Sequence, residues 1–207
     1  MKKDYAEIIG HVVDSPKFIE TRNNKSYYEF YIESQRDSGI VDVVPCITTG
    51  DILCDLYTGE NSIPEKIKVK GEYRSKNTRD ETGKHLVQYL NVKKIILGDF
   101  TKDINAVSLC GTICKEPNYR LTALGREICD ITIAVNINNS SCYFPVIAWG
   151  KNARDCSEMK VGEKILLDGR IQSRKYQKKL ENEIIEKTAY EVSINYITPL
   201  KELEEMM

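Results

Sequence analysis

No stretch of the 207 residues approaches the roughly 18–20 consecutive apolar residues that cross a bilayer as a helix. Neither sign of charge is in excess: 30 Lys and Arg stand against 31 Asp and Glu, a net of −1, which excludes a uniformly basic nucleic-acid coat. Histidine occurs only twice, as His11 and His85, with no carboxylate motif beside either. A Walker A loop, a dinucleotide-binding glycine pattern and a His-x-Glu deaminase signature are all missing, which argues against an enzyme. Met1-Lys2-Lys3-Asp4-Tyr5 carries basic residues but no apolar h-region behind it, which argues against secretion. With no export signal, seven cysteines, an odd number, read as reduced thiols in a cytoplasm. Cys110 and Cys114 would share a strand face, but no second Cys or His pair at ligand spacing completes a metal site. They read as small buried hydrophobes, and no metal or cofactor is expected.

The composition is that of a folded protein, 41% hydrophobic and 29% charged. Phenylalanine and tryptophan are scarce, at 4 and 1, whereas tyrosine is plentiful at 12. Tyrosine suits a surface that makes contacts while staying soluble. It is also common in β-proteins, so the count alone leaves both explanations open.

The chain reads as one unit written twice. Ile8-Ile9-Gly10-His11-Val12-Val13-Asp14-Ser15-Pro16 lines up with Leu109-Cys110-Gly111-Thr112-Ile113-Cys114-Lys115-Glu116-Pro117, the Gly and Pro each 101 residues apart. Pro45-Cys46-Ile47 answers to Pro145-Val146-Ile147 at an offset of 100, and Gly71 with Ser75 to Gly169 with Ser173 at 98. Gly98 to Asn105 has the composition of a linker, so the domains are expected at 1–101 and 102–207.

The second copy shows its elements more clearly. Val107 to Cys114 reads as a strand in which Gly111 suggests a bulge or sharp coil. Ile131, Ile133 and Val135 alternate with polar or small residues, and Tyr143 to Trp149 alternates again. A short helix fits Ala153 to Met159 after an Asn152 cap, ending before Gly162. Ile165, Leu167, Gly169 and Ile171 form the inner face of a fourth strand and Ala189 to Ile194 a fifth, separated by the polar segment Tyr176 to Lys187. Five short strands with a helix between the third and fourth is the layout of an OB-fold, a five-stranded Greek-key barrel that binds oligonucleotides. The first copy fits the same plan, with Thr48 to Tyr57 as its helix region. The fold class expected is all-β, two tandem OB-folds.

Tyr143 and Trp149 are six apart in one strand and leave the same face, whereas Phe144, Val146 and Ala148 point to the core. Aromatics opposite an aliphatic core are accounted for by base stacking and equally by a sheet-to-sheet contact between subunits. From Arg170 to Lys179 there are five basic residues, Arg170, Arg174, Lys175, Lys178 and Lys179, with no acid and with Tyr176 among them. Such interleaving suits a groove that neutralises phosphates while a ring meets a base. Arg120 and Arg126, on the loop after Pro117, could extend it, while Glu181, Glu183 and Glu186 limit it.

Leu109 to Pro117, then Leu124-Gly125-Arg126-Glu127-Ile128, Trp149-Gly150-Lys151-Asn152-Ala153, Lys160-Val161-Gly162-Glu163 and Gly169 to Tyr176 resemble, in order, the bacterial single-stranded DNA-binding protein family. The resemblance covers about residues 105–197, and the whole looks like members with two OB-folds per chain. It implies stacking positions at Tyr143, Trp149 and Tyr176. The family's loop between the second and third strands carries a further aromatic, but Asn136 to Ser141 is shorter and has none. It also implies single-stranded DNA as partner, a homodimer presenting four OB-folds, nucleoid association, and contacts with replication or repair proteins through an acidic tail. Here the end, Lys201 to Met207, is acidic and apolar but has no spacer.

The first copy has Val43, Thr49 and Thr78 where the second has Tyr143, Trp149 and Tyr176. Its candidates are Tyr27, Tyr28 and Tyr31 on the second strand and Tyr73, Arg74 and Lys76 on the fourth, forming either a modified binding face or a subunit contact. The function expected is sequence-nonspecific single-stranded DNA binding in replication, recombination or repair. The alternative is an OB-fold accessory subunit of a replication or mobile-element complex.

Overall fold

A computed structural model describes residues 4–56, 65–80, 83–137, 140–179 and 184–201. They form two compact units divided at Leu109/Cys110. In chain order the elements are β1 (Tyr5–Val12), β2 (Lys17–Arg22), β3 (Lys25–Gln35), β4 (Val41–Thr49), α1 (Gly50–Leu53) with a 3-10 turn (Cys54–Leu56), β5 (Ile67–Asp80) and β6 (Gly83–Leu97). The same series then repeats as β7 (Ile104–Ile113), β8 (Asn118–Leu121), β9 (Glu127–Ile137), β10 (Ser140–Trp149), α2 (Lys151–Ser157), β11 (Lys164–Lys179) and β12 (Ile184–Pro199). Among the described residues no helix is long and apolar enough to cross a membrane.

Each unit is a closed barrel of the expected OB type. In the first, β1 pairs β5, β5 pairs β6, β6 runs parallel to β4, β4 pairs β3, and β3 returns to the end of β1 through His11↔Glu33 and Val12↔Ile32. In the second, β11 pairs β12, β12 runs parallel to β10, β10 pairs β9, and β9 meets β7 at Thr112↔Ala134 and Ile113↔Ile133. The opening strand of each copy is broken in two, with Pro16 between β1 and β2 and Pro117 between β7 and β8. Proline cannot donate to a ladder, so the strand ends there and resumes as a short edge. Sequence patterning missed β2 and β8 because every residue in both is exposed and no alternation marks them.

Strand alternation sets inside from outside. Phe30, Ile32, Val44, Cys46, Ile67, Val69, Leu90 and Val92 close the first core. Ile131, Ile133, Val135, Phe144, Val146, Ala148, Ile165, Leu167, Ile171 and Val192 close the second, as the alternation in sequence anticipates. One charge lies in the first core region. Asp42 is fully buried, and Arg36 holds it through two donors, Nε and Nη2, each at 2.6 Å. The bidentate pair raises the Arg36 pKa further and braces the β3–β4 turn. Buried thiols line both interiors, and burial pushes the Cys156 pKa up to about 12. Helix α2 starts two residues earlier than expected, from Gly150 at φ 55 with no side-chain cap. Asn152 instead donates through Nδ2 to the carbonyl of Asn195 at 3.1 Å. Gly98–Asn105, linker-like in composition, is held on the first unit. The backbone N–H of Gln35 donates to Asp103 Oδ2 at 2.7 Å, and Lys68 lies 5.3 Å over the Phe100 ring.

The repeated glycines mark where backbones touch. A Cβ on Gly10 would stand 2.0 Å from the Glu33 carbonyl oxygen, and one on Gly111 2.9 Å from that of Ala134, the matching residue. On Gly71 it would stand 2.1 Å from the oxygen of Asn91, and on Gly169 2.3 Å from that of Ser193. Register shifts fall at Lys70/Gly71 and Asp168/Gly169, so these glycines sit at bulges that sharpen the barrel's curl. Gly169→Ala must displace backbone rather than a flexible side chain. It is expected to cost at least about 1–3 kcal/mol, read as a lowered urea midpoint with an unchanged slope.

Candidate nucleic-acid interface

The second barrel turns one continuous face outward. On β10, Tyr143 and Trp149 alternate with the buried Phe144, Val146 and Ala148, and remain 41% and 37% exposed. Their cross-strand partners on β9 are Ala134 and Ile128. Beyond β9, Arg120 on β8 lies opposite Ile128, so Arg120, Ile128 and Trp149 form one row. Arg120 is therefore a strand residue rather than a loop residue, and its Nε and Nη2 hold Asp130 at 2.9 and 2.8 Å. On the other flank, Ile171 points into the core, so Arg170, Gln172, Arg174 and Tyr176 point out with the rings of β10. Tyr176 is 38% exposed, Arg174 is exposed and Arg170 is half-buried.

Alternation divides the basic run that sequence treats as one groove. Lys175 leaves β11 on the side opposite Tyr176 and pairs with Glu186 at 3.0 Å. This corrects its placement on the stacking face. The side chains of Lys178 and Lys179 lie outside the described residues. Arg126 is exposed in the turn between β8 and β9, where its backbone N–H donates to Thr122 Oγ1 at 3.0 Å. At the end of the face, Glu127 accepts from Tyr119 Oη at 2.8 Å and pairs with Arg154 of α2. Beside this carboxylate the Tyr119 phenol is held above its ordinary pKa.

The first barrel arranges its candidates differently. Tyr73 is wholly buried, on the core side with Gly71 and Ser75, and its hydroxyl donates to Gln88 Oε1 at 3.2 Å. It cannot meet a base, which corrects its placement at the surface. The repeat carried the signal, because Tyr73 aligns with Ile171, an inner-face residue. Arg74 does point outward but pairs with Glu72 at 2.8 Å, and Asn91 also reaches that carboxylate. Opposing charges hold Glu72 below the usual carboxylate range against the effect of its burial. Lys76 is exposed, with its ammonium 5.7 Å over the ring of Tyr89, a tyrosine the sequence pattern did not single out. Tyr31 is half-buried on the outer face, and Tyr28 packs edge-on against Phe18 at 5.8 Å. Among the described residues no cluster of three or more His, Cys, Asp or Glu is placed to hold a metal ion.

Two closed barrels in tandem, the second with exposed rings and arginines along one face, define a protein of two OB-folds. Residues 104–200, the second barrel, match the model of the single-strand binding protein family. Single-stranded DNA-binding protein 1 of Chlorobaculum tepidum is 29% identical over 85 residues, 36% of this chain and 52% of that one. The single-stranded DNA-binding protein of Clostridium tetani is 32% identical over 84 residues, 37% and 58% of the two chains. The chain thus spans about half the length of the curated relatives it matches. The crystal structure of the wild-type single-stranded DNA binding protein from Thermus aquaticus superposes with a TM-score of 0.72 at 18% identity, covering 94% of this chain and 91% of that one. That likeness establishes the tandem fold across both barrels.

Tyr73 provides a test of core against surface. Tyr73→Phe removes the hydroxyl from Gln88 and is expected to lower stability by about 1 kcal/mol. Oligonucleotide affinity measured by titration should stay at the wild-type value.

Proposed function

We propose that the chain binds single-stranded DNA without sequence preference, performs no chemistry on it, and serves in replication, recombination or repair. The observation that carries this is the shared face of Tyr143, Trp149 and Tyr176 with Arg170 and Arg174, opposite a closed aliphatic core. Every base has a π-face, so rings accept any sequence, with each stacked base contributing about 1–3 kcal/mol. Arginines beside the rings neutralise phosphates and release counterions. The names of the relatives favour binding over the accessory-subunit alternative. Four barrels in a homodimer, the assembly expected from the resemblance, would lengthen the path for the strand. Two-fold pairing is also the commonest closed assembly.

Oligothymidylate should quench the emission of Trp149, the sole tryptophan, and duplex of equal length should not. Binding detected by another method without any change in emission would remove β10 from the interface. Tyr143→Ala combined with Tyr176→Ala should weaken binding at least tenfold, since two bases lose their platforms. If Arg120, Arg170 and Arg174 each meet one phosphate, the logarithm of affinity should fall against that of salt with a slope of about −2. Light scattering should give twice the chain mass of 23.7 kDa.

A further inference from the structure

The outer face of the first barrel lacks rings at the positions the second barrel uses, but it does not lack rings. Tyr31 stands opposite Pro45, and Arg74 opposite Tyr89. Because β4 and β6 run parallel through Cys46↔Leu90, Pro45 and Tyr89 fall in the same row one residue earlier. The row across the face is therefore Tyr31, Pro45, Tyr89 and Arg74, with the two tyrosines two strand spacings apart, roughly 10 Å. Their neighbours Phe30, Cys46, Leu90 and Tyr73 all point into the core, so the rings point out. Tyr27 lies on the same face opposite Thr49.

Cations already lie on these rings. The Arg22 guanidinium is 5.0 Å from the centre of Tyr27 and within electrostatic reach of the Tyr89 phenol, and Lys76 is 5.7 Å over Tyr89. Both cations are exposed. Two acids of the face are already engaged, Glu72 by Arg74 and Glu29 by the Tyr31 hydroxyl. In the second barrel the aligned residues of this row are Thr132, Pro145, Glu191 and Gln172, which offer no ring at all. Tyr27, Tyr31 and Tyr89 of the first barrel thus match none of the positions of Tyr143, Trp149 and Tyr176 in the second.

We propose that the first barrel carries its own single-strand platform at Tyr31 and Tyr89 across Pro45, continued at Tyr27 and served by Arg22 and Lys76. The inference rests on the proposed single-stranded DNA binding of the second barrel and adds a second contact for the same strand. An exposed cation over a ring is held more weakly than a stacked base. A base arriving at Tyr27 or Tyr89 therefore displaces the cation from the ring, and the long side chain turns to the adjoining phosphate. The ligand is a single-stranded nucleic acid, recognised through ring faces and charge rather than base edges.

The test uses the full chain with oligothymidylates of increasing length at fixed salt. Tyr31→Ala with Tyr89→Ala should weaken binding of long oligomers at least fivefold and shorten the length protected from nuclease. Quenching of Trp149 by short oligomers should persist. Tyr31→Phe with Tyr89→Phe keeps the rings and should match the wild type. Wild-type affinity and protected length in the alanine pair, with Trp149 still quenched, would overturn the inference alone. So would an alanine pair that changes only the oligomeric mass, since that marks a subunit contact. Failure of the wild-type chain to bind any oligomer would overturn the proposed function and this inference together. If the alanine pair does not fold, bromodeoxyuridine oligomers crosslinked to the wild-type chain decide. Adducts on peptides containing Tyr31 or Tyr89 support the platform, and adducts confined to the second barrel overturn it.

Discussion

A sheet of five strands closes on itself only where two backbones can pass within contact distance, and in each barrel that passage is made at glycine. Gly10 and Gly111 let the opening strand cross β3 and β9, and Gly71 and Gly169 let the fourth strand bend over the fifth. Closure fixes the handedness of every side chain, because alternation then assigns each strand residue to the core or to the outside. The rings of β10 and the arginines of β11 share a face for this reason and no other. A methyl group at Gly169 would disturb the site without touching any residue of it.

Alternation explains both what was legible in sequence and what was not. Ile131, Ile133, Val135, Phe144, Val146 and Ala148 alternate strictly, and their strands and inner faces could be written down from the sequence. The offset between copies then carried the architecture to the first half, where the local pattern is weaker. Tyr73 was misplaced because a tyrosine among basic residues resembles a surface, although its aligned partner Ile171 is a core residue. The run Arg170 to Lys179 reads as one groove in sequence, yet a strand sends Arg174 and Lys175 to opposite sides. Tyr89 had no signal of its own. Its role depends on the parallel pairing of β4 with β6, which joins residues about forty positions apart and leaves no local trace.

The charge balance of the chain has a structural form. The cations do not stand in a uniform field; several are matched, as in the exposed pair Arg120 with Asp130 and the half-buried Arg74 with Glu72 and Lys68 and Lys70 with Glu7. An exposed pair such as Arg120 with Asp130 contributes little to stability, about 0–1 kcal/mol. The effect of such pairs on a polyanion is larger, because each carboxylate beside an arginine restrains how firmly a phosphate is held. Such a surface favours contacts that form and break along a strand over a permanent hold.

Two related barrels in one nascent chain invite a specific error, the entry of a strand into the wrong copy. The interiors differ in a way that resists it. The first places a large ring at Tyr73 and a small side chain at Val44, and the second places Ile171 and Phe144 at the aligned positions. Phe30 of the first core aligns with Ile131 of the second. A fourth strand from one copy lodged in the other would bring either two bulky groups or a void, and overpacking and cavities are both costly. Divergence between the cores thus disfavours the exchange of a strand between the barrels, as the wards of a lock turn away the wrong key.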